Sequence, residues 1–179
     1  RGAAMNLASP DPQEAAHLAD QLGGAASRLE AKAASRVEKV AFCRKATGFG
    51  QYDPWPEAQP YRPRDLAVLY VEVKNVGCAA APGPAGEGYV SRTVVTLEVR
   101  DAKGAVVEQV DPEDFRRRVP AARFPHEDRS RSPVRDYFRT YRINIPPTPG
   151  VYTVTVEVRD PAGGRAARSQ PTEFRVAGP

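Results

Sequence analysis

From Arg36 to the C-terminus the chain keeps returning to a period of two. Val154, Val156 and Val158 alternate with Thr153, Thr155 and Glu157, which is the pattern of a strand with one buried and one wet face. The same period predicts strands over 36–45, 65–74, 89–101, 105–110, 135–145, 151–159 and 166–177. Two connections are built alike, EVRDAKG at 98–104 and EVRDPAGG at 157–164. In each, Asp opens the turn and Gly supplies the positive φ that a hairpin or its bulge needs. Seven short strands with Gly- and Pro-rich connections predict two antiparallel sheets packed face to face.

The strand at 65–74 breaks the alternation. Ala67, Leu69, Val71 and Val73 make one apolar face, while Leu66, Val68 and Tyr70 make the other apolar as well. Such a strand needs a cover on its outer side. The segment before Arg36 offers one. Asp11 can cap a helix, Pro12 suits its first turn and Glu14 completes a capping-box pattern. Leu18, Leu22, Ala25, Leu29 and Ala33 then recur at spacings of three and four, the stripe of an amphipathic helix. Gly23-Gly24 interrupts it, so one kinked helix or two short ones both fit. The expected organisation is a helical extension over 1–35 and a sandwich over 36–179, with the helix, or a second copy of the chain, covering the strand at 65–74.

PPTPGVYTVTVEVRD, 146–160, resembles the penultimate strand of bacterial immunoglobulin-like and macroglobulin-type sandwiches. The resemblance implies that Tyr152 pins a corner through its hydroxyl. AFCRKATGFGQY, YRPRDLAVLYVEVKN and RDYFRTYRINIPP are similar to segments of a family of bacterial envelope-type domains, and this resemblance implies no reaction. Where such domains usually carry Pro-Gly-Asp or Pro-Gly-Gln before the second strand, this chain has Pro63-Arg64-Asp65, so that turn is expected to differ. The expected fold is therefore mainly β, a seven-stranded antiparallel immunoglobulin-like β-sandwich with an N-terminal α-helical extension. The expected setting is exported or envelope-associated, periplasmic or extracellular. A start at Arg1 rather than Met is compatible with an upstream segment removed in processing.

Catalytic chemistry finds little to stand on. A reactive thiol needs a neighbouring group that lowers its pKa. The two histidines, His17 in the helical segment and His126 in an expected loop, carry no Cys/His signature. Cys43 is read either as a small buried residue of the first strand or as half of a disulfide with Cys78. If strands 36–45 and 65–74 pair antiparallel, the two cysteines lie at opposite ends of the pair, about 33 Å of strand apart, and bridged Cα atoms sit within about 7 Å. Asp111, Glu113 and Asp114 are close in sequence but lack the loop spacing of a calcium site. No catalytic, cofactor-binding or metal-binding residues are assigned, and the chain is read as a non-enzyme.

Two segments are candidate contact surfaces. GFGQYDPWPEAQPYRPR, 48–64, is long for a connection and holds Tyr52, Trp55 and Tyr61. These aromatics could form a platform for a sugar ring or a proline-rich peptide, or fold as a plug over the end of the sandwich. Prolines 54, 56, 60 and 63 favour the plug. EDFRRRVPAARFPHEDRSRSPVRDYFRTYR, 113–142, interleaves arginines with Phe115, Phe124, Tyr137, Phe138 and Tyr141. Stacking plus charge can hold single-stranded nucleic acid, yet no nucleic-acid motif accompanies it and Glu127, Asp128 and Asp136 offset the charge. A solvated edge or a surface for an acidic partner is expected instead, with Arg116, Arg117 and Arg118 as its charged contacts. A net charge of +4 is too mild to argue for nucleic acid by itself. No apolar run approaches the about 20 residues of a membrane-spanning helix. The functional expectation is a binding or scaffolding domain that recognises a protein partner or itself; the alternative is a carbohydrate-binding module using Tyr52, Trp55 and Tyr61.

Overall fold

A computed structural model describes residues 11–30, 33–81, 88–160 and 166–178. The chain divides into two compact units, Arg1–Ala33 and Ala34–Pro179. The first holds α1 (Pro12–Glu30), one uninterrupted helix through Gly23-Gly24. Asp11 caps it: its carboxylate accepts the Gln13 N–H at 3.1 Å and its carbonyl accepts the Ala15 N–H at 2.8 Å. Among the described residues no helix is long and apolar enough to cross a membrane.

The second unit is a β-sandwich. Its strands are β1 (Arg36–Gly48), β2 (Gln51–Pro54), β3 (Leu66–Gly77), β4 (Ala79–Ala80), β5 (Tyr89–Asp101), β6 (Val106–Val107) and β7 (Gln109–Val110). They continue as β8 (Arg118–Val119), β9 (Ala121–Ser130), β10 (Val134–Asn144), β11 (Gly150–Arg159), β12 (Ala166–Arg168) and β13 (Thr172–Val176). Among the described residues, one sheet runs β10-β3-β1-β2. The facing sheet is built on β5 and β11, with β9, β6 and β4 on β5 and β12 and β13 on β11; β7 and β8 form a small ribbon. All the paired strands are antiparallel. This is the immunoglobulin-like arrangement that the alternation predicts.

The core is the inward parity of both sheets. Leu69, Val71 and Val73 of β3 and Tyr141 and Ile143 of β10 meet Val95, Leu97 and Val99 of β5 and Val154, Val156 and Val158 of β11. Tyr152 forms the expected corner, its hydroxyl donating to the Thr148 carbonyl at 2.8 Å. In the 98–104 turn the Asp101 carboxylate accepts the Lys103 and Ala105 N–H groups at 2.9 and 2.8 Å, and Gly104 takes a φ of 81°. The matching turn falls largely on 161–165, outside the described residues, as do residues 1–10.

On the outer side of β3, Leu66 is exposed and Val68 half-buried, and Tyr70 is covered from within the sandwich. Tyr70, fully buried, stacks on Tyr52 with centroids 4.5 Å apart and lies 5.7 Å from Phe138. Its hydroxyl donates to Glu72 Oε1 at 2.5 Å and accepts the Gly50 N–H at 2.8 Å. Burial and the Glu72 carboxylate push this phenol up to about 12. The β1–β2 hairpin is thus folded over Tyr70 and fastened at its Gly50 turn.

Two sequence expectations need correction. The stretch 121–130, read as loop, is a ten-residue strand. Its charged outward residues and Pro125 hid an inward row of Ala122, Phe124, His126 and Asp128. A proline in a strand is tolerated because β9 is terminal in its sheet. Arg139, expected on a solvated edge, shares the inward parity of Tyr137 and Tyr141 and reaches Asp128 across the sheets.

Candidate functional site

The 48–64 segment is a strap between the sheets. It leaves the first sheet as β2, where Cys43 faces Pro54 and Ala46 faces Tyr52. Trp55 donates its N–H to the Phe42 carbonyl at 2.9 Å, and its indole N–H closes a local turn on the Gln59 carbonyl at 2.7 Å. Tyr61 then joins the second sheet: its N–H donates to Arg175 O and its carbonyl accepts the Ala177 N–H, both at 2.8 Å. The strap returns to β3 through a turn in which Asp65 N–H donates to Arg62 O at 3.2 Å. The two middle residues of that turn are Pro63 and Arg64, and Arg64 takes a φ of 66°. That is the second central position of a type II turn, which glycine normally fills.

Trp55 stacks on Tyr61 at 4.5 Å with an interplanar angle of 15°. Tyr61 in turn packs against Phe42 and Phe174 at 5.5 and 6.3 Å. It is 4% exposed, and burial, helped by Cys43 and Asp65, pushes its phenol far above the ordinary tyrosine range. Beside the strap runs a groove of about 890 Å³. β1 supplies Lys39 and Val40 to one wall, β13 supplies Glu173 and Arg175 to the other, and Tyr52, Trp55 and Tyr61 line it as well. The Arg44 guanidinium lies over the Trp55 ring at 5.9 Å and pairs with Asp53 at 3.8 Å.

The three aromatics singled out in the sequence therefore share one groove but do not form a flat platform. Tyr52 gives a face to Tyr70, Trp55 gives a face to the buried Tyr61, and Tyr52 and Trp55 are both half-buried. The β13 wall was not legible in the sequence, since only the Tyr61 bridge brings Glu173 and Arg175 beside the strap.

Cys43 is 2% exposed, and burial and then Asp53 raise its thiol pKa, which disfavours the thiolate form. It pairs with Val68 near the start of β3, whereas Cys78 follows the end of that strand, and both thiols are free.

The arginine run is divided by its neighbours. Arg117 Nε donates to Asp111 Oδ2 at 2.6 Å, and its Nη2 reaches the same oxygen. The Glu113 N–H and Arg117 hold the Asp111 carboxyl below its usual range. Arg116 and Arg118 stay exposed at the rim of the same loop, with Phe115, 81% exposed, at its tip. Glu113 and Asp114 stand within this loop, so the surface is of mixed charge. Among the described residues, no group of three or more His, Cys, Asp or Glu side chains is placed to hold a metal ion.

A second polar constellation, missed in the sequence, joins β9 to β10. Arg139 Nη2 donates to both Asp128 carboxylate oxygens at 2.6 and 2.7 Å, Arg135 lies 3.5 Å from the same carboxylate, and His126 Nε2 is 3.0 Å from the Tyr141 hydroxyl. The signal was the alternation Phe124, His126, Asp128, obscured by the charges between them.

No family model matches the chain, and no curated protein does. Solved structures do match, among them a family 123 glycoside hydrolase from Clostridium perfringens described for its glycolipid glycan hydrolysis. That alignment has 12% identity and a TM-score of 0.40 and covers 66% of this chain and 22% of the other. The chain spans about a fifth of that enzyme, and a likeness of this depth carries no argument about activity.

Proposed function

We propose that the sandwich is a non-catalytic recognition domain that seats a segment of a protein partner in the groove between β1, β13 and the strap, in a bacterial envelope or exported setting. The observation that carries this reading is the groove itself: an aromatic floor and walls of both charge signs, held by backbone hydrogen bonds to both sheets. Apolar anchors with a polar rim are the makeup of a protein-recognition surface. A protein segment is favoured over a sugar ring because all three rings already spend a face on another ring, Tyr52 on Tyr70 and Trp55 and Tyr61 on each other. The resemblance of the strand segments to envelope-type domains supports the setting.

Trp55 is the sole tryptophan, so its fluorescence reports the groove directly. Peptides selected from a displayed random library on the immobilised chain are expected to shift that emission on titration. They should lose about tenfold or more in affinity with Trp55→Ala, as a central aromatic anchor does. Selected peptides that ignore Trp55→Ala overturn the reading. Glycan-array binding that depends on Trp55, with no peptide recovered, replaces it by the carbohydrate alternative.

A further inference from the structure

From the bonds between β9 and β10 we infer that this side of the sandwich is an acid-responsive seam, closed while His126 is neutral and loosened when His126 takes a proton. β9 and β10 are consecutive in the chain but belong to different sheets, and each is terminal in its own. They are not paired with each other, so drawing them apart breaks no ladder hydrogen bond between them. Side chains close this edge instead: His126 to Tyr141, and Asp128 to Arg139 and Arg135.

His126 is half-buried opposite Thr93 of β5, and β10 brings Tyr141 and Arg139 to it. The facing carboxylate of Asp128 is already shared by two guanidinium groups, so it has little charge to spare for an imidazolium. Burial first, and then Arg139, hold the imidazole below its ordinary range, with Asp128 opposing. Tyr141, 4% exposed, stays protonated because burial raises its phenol far above the usual range. With Nδ1 carrying the ring proton, Nε2 accepts the Tyr141 O–H. A second ring proton turns that acceptor into a donor, leaves the buried phenol proton without its partner and sets a cation beside Arg139. Separation of β9 from β10 relieves all three by letting water in.

The test is hydrogen–deuterium exchange on the full chain at about pH 7.5 and about pH 5, corrected for intrinsic rates, since histidine is the side chain that titrates across that range. Opening of 121–130 and 134–144 is expected to rise several-fold on acidification, because the opened edge takes the His126 proton more readily than the closed one, while 150–159 stays protected. His126→Gln, which keeps an acceptor for Tyr141 but gains no proton, removes the rise. His17→Gln, in the other unit, keeps it. Unchanged protection of β9 and β10 in the wild type overturns the inference, and so does an undiminished rise in His126→Gln. Should that variant fail to fold, the ring titration of His126 followed by NMR in the wild type decides, and a midpoint at or above about 6.5 overturns it.

Discussion

At Arg64 the chain adopts a backbone conformation that its side chain disfavours. A non-glycine residue in the left-handed region costs roughly 1–2 kcal/mol, and φ is 66° there. Glycine removes that cost and returns roughly 0.5–1 kcal/mol of it as lost chain entropy. Arg64→Gly is therefore expected to raise unfolding stability by up to about 1 kcal/mol, read as a higher urea midpoint with an unchanged slope; a lowered midpoint refutes the strain. Tyr152 runs the other way. Its hydroxyl meets one carbonyl, that of Thr148, so Tyr152→Phe should cost about 0.5–1.5 kcal/mol in the same measurement. The two residues show how far the sequence could be read. Pro-Gly-x-Tyr announced the Tyr152 corner, and Pro63 before a non-glycine marked the odd turn. Only the backbone shows that Arg64 keeps the glycine conformation rather than escaping it.

The β1–β2 hairpin carries the strap, and one hydroxyl fastens it. Gly50 N–H is shared between the Tyr70 hydroxyl and Glu72 Oε1, at 2.8 and 2.9 Å. Tyr70→Phe keeps the ring stack with Tyr52 but strips Glu72, 7% exposed, of a donor at 2.5 Å. A hydrogen bond to a charged group is worth about 1.5–3 kcal/mol, and a loss of that order should be confined to this element. Exchange of the 48–52 amides should speed up while β11 stays protected; uniform loosening would mean that Tyr70 serves the core and not the hairpin. At this scale the strands were legible where valines alternate with threonines, as in β5 and β11. They were illegible where the partner lies in the other sheet. Asp128 on β9 and Arg139 on β10 look solvated one at a time, and only the facing of two terminal strands turns both inward. The strap was legible as a plug from its prolines, but its docking on β13 rests on a single residue, Tyr61.

As a whole the molecule guards its sheet edges. β1 is irregular between Val37 and Lys39, in the part that β2 does not pair, β10 is irregular between Arg135 and Tyr137, and β9 carries Pro125 at its middle. Bulges, charges and proline blunt an edge against strand addition, and the recognition proposed above, through side chains in the groove, needs no backbone pairing. Pro125→Thr should restore a pairing-competent edge and increase self-association on size-exclusion chromatography; an unchanged elution would show that Pro125 is not the guard. The same β9 edge sets the response to acid. His126 is held low in the folded state, so the unfolded chain binds the proton first. Stability is then complete above about pH 6.5, declines below it, and stops declining once the folded-state value is passed. Burial is the largest single influence on the Asp128 carboxyl and would raise it, but the Arg139 hydrogen bond and the charges of Arg139 and Arg135 together outweigh it and the net shift is downward. Its contribution is therefore intact above the unfolded value near 4 and is lost as pH falls through the folded one. Urea midpoints at constant ionic strength should accordingly fall in two stages, a shallow one beginning near 6.5 and a steeper one below about 4. Asp128→Asn should lower the neutral plateau, because two guanidinium groups lose their partner, and should flatten the lower stage. Stability that rises between neutrality and about pH 5 would mean that the β9–β10 charges are not arranged as the distances between them indicate.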